Sequence, residues 1–401
     1  MVKKILKSYD YTLIVAIILL SAFGLVMVYS ASMASAVQRY RLPSDYFYQK
    51  QKIFLIGSLV IFIFTAIIPY KIMKFTKYFL APMVFLSIIA LLGLFAFGTV
   101  AGNAQSWYQI GPIKIQPSEF VKLALIIYLS AVYAKKQNYI NQFNKGVLPP
   151  LVYLMIVVVL IAKQPDYGTA LIIVLIAGTI IISSGMNIKS MSKLLLIGVV
   201  IGLIFIVFAR GEIFSQKRVD RFSVRSDPFK EEQTSGYHLA NSYIAIGSGG
   251  VNGLGLGRSI QKLGYLPESH TDFIMAVIAE ELGVWGVGFV ILTLAYIVLR
   301  GIYIGLKCKD PFGSLLAIGI SSMIGIQSFI NLAGVSGVMP LTGVPLPFVS
   351  YGGSSLLMLA ISVGILVNVS MFVKYENTKN NSDQKANKKR TQDGKVFYIQ
   401  Q

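Results

Sequence analysis

Long apolar runs separated by short polar segments recur along the whole of the 401-residue chain. Most runs approach the ~20 residues that an α-helix needs to cross a bilayer. A chain that spans lipid must satisfy its backbone hydrogen bonds internally, which favours helices. The pattern therefore predicts an all-α, polytopic membrane protein with ten transmembrane helices, at about 11–31, 53–69, 78–98, 118–134, 148–163, 168–184, 193–209, 271–299, 313–337 and 352–373.

The two ends of the chain require separate treatment. The N-terminus has a basic start, an apolar stretch and a small-residue end, as a signal peptide has, but the stretch is long and nine more runs follow. We interpret it as an uncleaved first helix of a membrane domain over residues 1–374. Residues 375–401 are polar and basic with little to bury, and they are predicted to form a disordered cytoplasmic tail.

Charge sets the expected orientation. The composition is 55% hydrophobic and 13% charged, with a net charge of +19. Most Lys and Arg residues fall in alternate connections and in the tail, so the positive-inside rule predicts cytoplasmic N- and C-termini. The basic balance then reflects topology and contact with anionic lipid rather than nucleic-acid binding. In this orientation, residues of about 210–270 form one large extracellular loop.

Charged residues at helix ends are the candidate functional groups. Asp272 opens the eighth predicted helix, and the other groups at the same predicted extracellular level are Glu119, Lys122, Lys163 and Asp166. Such a cluster suits an amphiphile whose polar head lies outside. Structural interpretations remain open: Ser269 and Asp272 have capping-box-like spacing, Glu119 and Lys122 can pair across one helical turn, and Asp166 suits a turn.

Two further acids, Glu280 and Glu281, lie inside the eighth predicted helix. They are either buried structural acids hydrogen-bonded between helices or parts of a transport path. The preceding loop contains the basic run KRVDRFSVR and the glycine-rich run IGSGGVNGLGLGRSIQK. Glycines allow close backbone approach, and arginines bind phosphate, so the loop suggests a surface for an anionic headgroup such as a pyrophosphate.

Several motifs in fixed order resemble the SEDS family of cell-shape and cell-division proteins. They are WYQIGPIKIQPSEFVKLALI, AKQPDYGTALI, SGYHLANSYIAIGSGG, GLGLGRSIQKLGYLPESHTDFIMAVIAEELG and PLTGVPLPFVSYGGSSLL. The resemblance extends through nearly all ten predicted spans. The run GLGLGRSIQKLGYLPESHTDF is closer to the division members of the family than to the elongation members.

The resemblance implies a peptidoglycan glycosyltransferase that polymerises lipid II on the outer face of the cytoplasmic membrane, with inversion. It makes Asp272, in the HTDF motif, the general base. The substrate-binding residues that it implies are Trp107, Glu119, Lys122, Asp166, Arg221 and His270. Arg225 stands where the family usually has an aromatic residue, so the register around Arg221 is the least firmly aligned part.

The resemblance also implies partners: lipid II, a class B penicillin-binding protein transpeptidase, other divisome proteins and the membrane at the division septum. A divalent cation, Mg²⁺ or Mn²⁺, is one candidate for neutralising the pyrophosphate, and no organic cofactor is implied. An elongation-type member of the same family and a lipid II flippase are the alternatives. A flippase would give Glu280 and Glu281 a functional role near the middle of the membrane.

Overall fold

The structure is a computed structural model, and it describes residues 6–101, 104–111, 113–137, 140, 142–208 and 236–397. Within these residues the fold is mostly helical. The helices are α1 Tyr11–Gln38, α2 Tyr46–Ile67, α3 Ala81–Phe97, α4 Pro117–Lys135, α5 Leu148–Ala162, α6 Tyr167–Ser183, α7 Ile188–Phe208, α8 Tyr237–Gly249, α9 Ile274–Lys307, α10 Pro311–Val335 and α11 Gly353–Phe397.

Every predicted span overlaps one of these helices, so the predicted fold class is confirmed. Seven helices of the described chain have the length and hydropathy to cross a membrane, and α5 and α6 are shorter apolar helices. The count of ten crossings and the cytoplasmic placement of the termini stay predictions. A 3₁₀ segment, Tyr70–Lys74, leads towards α3.

The centre of the bundle is formed by α4, α10 and α11, whose side chains are mostly buried, whereas α2 and α3 expose most of theirs. Lipid is as apolar as Leu, so these helices associate through close packing and hydrogen bonds. Gly305 shows this: a Cβ there would lie 3.0 Å from the carbonyl oxygen of Ser314, so only glycine permits the close approach of α9 to α10.

A small antiparallel sheet connects α3 to α4. Its strands are β1 Thr99–Ala101, β2 Ala104–Ile110 and β3 Ile113–Ile115, in the order β1-β2-β3. The hydroxyl of Tyr108 donates to the carbonyl of Ala90, which ties the sheet to α3. The sequence did not predict this sheet, because β1 and β3 have only three residues each and leave almost no alternation to detect.

The predicted extracellular loop of residues 210–270 is described only in its second half, from residue 236, and its extracellular placement stays a prediction. Helix α8 runs alongside the first turns of α9, and the glycine-rich chain after it packs against α9 at the level of Glu280. Glu280 is six residues into α9, which corresponds to about 9 Å along the helix. Residues 236–266, which we call the re-entrant segment, therefore fold back along the first turns of α9.

The re-entrant segment holds its backbone against α9 through hydrogen bonds from main-chain N–H groups. Leu254 and Gly255 donate to the carbonyls of Glu280 and Glu281, and Val284 donates to the carbonyl of Val251. Gly283, with φ +60°, breaks the helical geometry of α9 at this point. Non-helical backbone in apolar surroundings needs such hydrogen-bond partners from the protein itself.

Helix α11 extends beyond the apolar span into the segment for which the sequence predicted a disordered tail. Helix α11 continues past the apolar run to Phe397, so residues 375–397 are helical. The stretch contains no proline, and its single glycine is Gly394. Once the apolar span has formed the costly helical nucleus, nothing in this sequence stops its propagation.

Candidate active site

Asp272 lies in a turn immediately before α9, and a second loop, residues 340–351, holds this turn in place. The hydroxyl of Ser350 donates to the carbonyl of Thr271 at 2.6 Å, and the amide of Tyr351 donates to the carbonyl of His270 at 2.9 Å. Asn331 of α10 donates its amide hydrogens to the carbonyls of Asp272 and Val344, at 2.9 and 2.8 Å. The backbone around Asp272 is therefore fixed.

The Asp272 carboxylate, by contrast, accepts no hydrogen bond from any residue that the structure describes. It faces Gly343, where a Cβ would lie 3.8 Å from Oδ2. Burial and, to a smaller extent, the negative charge of Glu268 together raise the pKa of Asp272 to about 7. A carboxylate with such a pKa, on a fixed backbone and without a hydrogen-bond partner among the described residues, can accept a proton from a bound hydroxyl group.

Glu119 and Lys122 form a buried ion pair on the first turns of α4. Lys122 Nζ lies 2.8 Å from Glu119 Oε1, and the side chains are 2% and 8% exposed. The pairing that the sequence left open is thus present. Because both charged groups are buried and paired with each other, contact with a substrate would require the pair to rearrange.

Asp166 caps α6, as a turn residue does, and still belongs to the same end of the bundle. Its Oδ1 accepts from the amide of Thr169 at 3.2 Å. Burial raises the pKa of Asp166, and the positive charge of Lys122 opposes this shift. Lys122 is therefore close enough to Asp166 for their charges to interact.

The loop of residues 340–351 connects these groups. A Cβ on Gly168, two residues after Asp166, would lie 2.9 Å from the carbonyl oxygen of Thr342, and Thr342 precedes the Gly343 that faces Asp272. The starts of α4, α6 and α9 are therefore brought to one end of the bundle around this loop. Sequence reasoning did not assign it a role. The run PLTGVPLPFVSYGG, rich in proline and glycine between two apolar helices, was the available signal.

His270 is buried rather than directed into the site. Its ring packs on Phe47 and Tyr351, with centroids 4.4 and 5.7 Å away, and its Nδ1 has no partner among the described residues. Burial lowers the pKa of His270 to about 4, so the ring is neutral at pH 7. This position favours a structural role, and direct substrate binding by His270 stays a prediction.

The remaining predicted residues lie on other elements or outside the described residues. Trp107 lies half-buried on β2, within the sheet packed on α3 and α4. Lys163 is exposed at the end of α5. Arg221 and its basic neighbours lie outside the described residues.

Glu280 and Glu281 prove to be structural acids, one of the two interpretations left open. Glu280 accepts from the hydroxyl of Ser259 and from the amide of Ile260. Glu281 accepts from Lys262 Nζ at 2.6 Å and from the Ser30 hydroxyl of α1 at 2.7 Å. The two carboxylates therefore bind the end of the glycine-rich chain, at Ser259, Ile260 and Lys262, to α9 and α1.

Glu268 is a residue near the site that sequence reasoning did not single out. It accepts from the hydroxyl of Thr271 at 2.9 Å and forms an exposed ion pair with Arg39 at 3.3 Å. Its position four residues before Asp272, in LPESHTDF, was the only sequence signal. Because its charge raises the pKa of Asp272, Glu268 sets part of the electrostatics of the candidate base.

A sequence profile of the FtsW, RodA and SpoVE family of cell cycle proteins matches residues 11–375. The chain belongs to this family. The "probable peptidoglycan glycosyltransferase FtsW" of Bacillus subtilis is 56% identical over 407 residues, covering 100% of both chains. The "stage V sporulation protein E" of the same organism is 36% identical and covers 92% of this chain and 98% of its own.

Solved structures agree on the family fold. A chain of a peptidoglycan synthase complex that coordinates polymerization and crosslinking has a TM-score of 0.72, with 23% identity, covering 91% of this chain and 98% of its own. The rod shape determining protein RodA of Thermus thermophilus has a TM-score of 0.65, with 23% identity, covering 90% and 96%. The predicted family resemblance is therefore confirmed, and the chain is a multi-pass membrane protein of the FtsW/RodA/SpoVE family.

Proposed function

We propose that this family member is a peptidoglycan glycosyltransferase that polymerises lipid II into β-1,4 glycan strands at the division septum. The relative with 56% identity over the whole chain is named for this reaction class and for the division member of the family, which supports both parts. An elongation role is the less favoured alternative, since the RodA chain shares only 23% identity.

The observation that carries the proposal is the unpartnered Asp272 carboxylate on a fixed backbone. Glycan extension requires a sugar hydroxyl to lose its proton as it attacks an anomeric carbon, with pyrophosphate leaving from the opposite face. Asp272, with its pKa raised to about 7, accepts that proton. A pyrophosphate leaves without protonation by an enzyme acid when cations neutralise it. One carboxylate therefore suffices, and opposite-face attack inverts the anomeric centre.

The cations that face the pyrophosphate must come from groups other than the buried Glu119–Lys122 pair. Lys163 and the basic run around Arg221 are the candidates that the sequence supplies. The described residues hold no cluster of three or more His, Cys, Asp and Glu side chains suited to a metal. A Mg²⁺ or Mn²⁺ ion enters the proposal as a cation bound to the substrate's phosphates.

The hydrogen bonds of Glu280 and Glu281 weigh against a flippase. Each carboxylate accepts hydrogen bonds from backbone, serine or lysine groups of the protein. Neither is therefore free to take part in moving a pyrophosphate across the bilayer. The related synthase complex supports a transpeptidase partner, so we propose that the chain works with a class B penicillin-binding protein among other divisome proteins.

The proposed reaction is tested with purified protein and labelled lipid II, with and without the cognate transpeptidase. We expect glycan polymer when the two proteins are combined, and the product should be digested by a muramidase. Failure of the folded complex to form polymer, together with transport of lipid II across vesicle membranes, would contradict the proposal and support the flippase.

A further inference from the structure

A cavity of about 940 Å³ lies at the end of the bundle opposite Asp272. It is bounded by the first turns of α3, the last turns of α4, the 3₁₀ segment and the start of α10. Its size is at the upper end of the range of about 300–1,000 Å³ for small-molecule sites. The cavity takes no part in the proposed chemistry, since α4 separates it from the Glu119 end by almost its whole length.

The walls of the cavity are apolar, and its rim is basic. Val84, Ile88 and Tyr128 line the interior. Ile88 and Tyr128 are each seven residues from the end of their helix, so the cavity reaches about 10 Å from the rim into the bundle. A site of this form accepts a hydrocarbon chain.

Three lysines, Lys74, Lys135 and Lys136, stand at the rim. Within the described chain, neither Lys74 nor Lys135 forms an ion pair, whereas the nearby Lys71 pairs with Glu376. One acid, Asp310, also borders the cavity, and it accepts from the hydroxyl of Tyr70 at 2.9 Å. Lys74 and Lys135 therefore give the rim positive charge beside an apolar interior.

We propose that this cavity binds an anionic glycerophospholipid of the cytoplasmic leaflet, with the phosphate at Lys74 and Lys135 on the rim and an acyl chain between α3 and α4. The positive-inside pattern assigns this end of the bundle to the cytoplasm, where anionic lipids attract basic groups. Basic pockets between transmembrane helices on that side bind anionic lipid headgroups. The shape and the charge of the cavity thus match the same molecule.

The test is native mass spectrometry of the purified full-length chain with palmitoyl-oleoyl phosphatidylglycerol, and with phosphatidylcholine of the same acyl chains. The variant Lys74→Gln/Lys135→Gln/Lys136→Gln should lose at least about tenfold in phosphatidylglycerol retention, because each lysine near an anionic lipid contributes on the order of 1 kcal/mol. The matched control, Lys189→Gln/Lys193→Gln/Lys307→Gln, removes three exposed lysines assigned to the same side. It should stay within twofold of wild type.

A second variant distinguishes the cavity from a merely basic surface. Ala134 lines the cavity, and Ala134→Phe fills part of it while leaving the lysines in place. We expect this variant to keep its thermal stability and to lose phosphatidylglycerol binding. Unchanged binding in Ala134→Phe would overturn the cavity as the site. Stronger retention of undecaprenyl phosphate than of phosphatidylglycerol by wild type, lost in the lysine variant, would overturn the choice of a glycerophospholipid.

Discussion

The substitution Glu281→Gln should destabilise the protein strongly, because it leaves the ammonium of Lys262 buried without a counter-charge. Lys262 and Glu281 are 4% and 0% exposed, and Nζ lies 2.6 Å from Oε1. Removing one partner of such a buried pair costs about 3–5 kcal/mol. The Ser30 hydroxyl also donates to Glu281, so the loss affects α1, the re-entrant segment and α9 together.

The assay is thermal unfolding in detergent, with limited proteolysis of the re-entrant segment. The control Glu376→Gln breaks an ion pair with Lys71 whose side chains are 40% and 42% exposed, and it should change stability by at most about 1 kcal/mol. The double variant Glu281→Gln/Lys262→Met removes both charges and should recover most of the loss. Equal stability of Glu281→Gln and Glu376→Gln, or no recovery in the double variant, would refute the reasoning.

Three other outcomes follow from the structure and sequence. Gly283→Ala should destabilise the protein by at least about 1–3 kcal/mol, because φ is +60° and a Cβ would clash with the Val251 carbonyl. The control Gly288→Ala, where a Cβ would meet open space, should be neutral or stabilising in the same thermal unfolding assay. The kcat/KM of polymerisation should fall as pH is lowered through about 7, because protonation removes the Asp272 carboxylate as base, and a flat profile from pH 5 to 8 would contradict this. Arg221→Ala should reduce kcat/KM by about 10–100-fold and Lys217→Ala by less, since arginine binds phosphate through a planar fork. Equal small effects of the two substitutions would instead make the KRVDRFSVR run a generic basic surface.

The bundle could be predicted from the sequence because lipid requires long apolar helices, and each run left a direct signal. The position of Asp272 at the start of a helix could also be predicted, since LPESHTDF directly precedes such an apolar run. The re-entrant segment could not be predicted in this way. Its glycine-rich chain has no periodicity, and the acceptor that binds the Ile260 amide is Glu280, twenty residues away. Only the folded chain shows that the carboxylates of Glu280 and Glu281 bind groups of the protein rather than a substrate.

The loop of residues 340–351 was missed for a similar reason. Its motif contributed to the family resemblance, but its function as a bridge depends on tertiary contacts. Thr342 lies against Gly168, and Gly343 lies against Asp272, and no spacing within the sequence indicates these neighbours.

The central claim, that Asp272 is the catalytic base, is tested most directly by lipid II polymerisation with Asp272→Asn in complex with the transpeptidase. Asparagine keeps the size and most of the hydrogen-bonding capacity but cannot take the proton. The variant should be at least as stable as wild type near pH 7 and above, because burial disfavours the charged carboxylate that it replaces. We predict that it remains folded and bound to the partner while polymerisation falls by at least about 10²-fold. Polymerisation at more than a tenth of the wild-type rate by the folded variant would contradict the account.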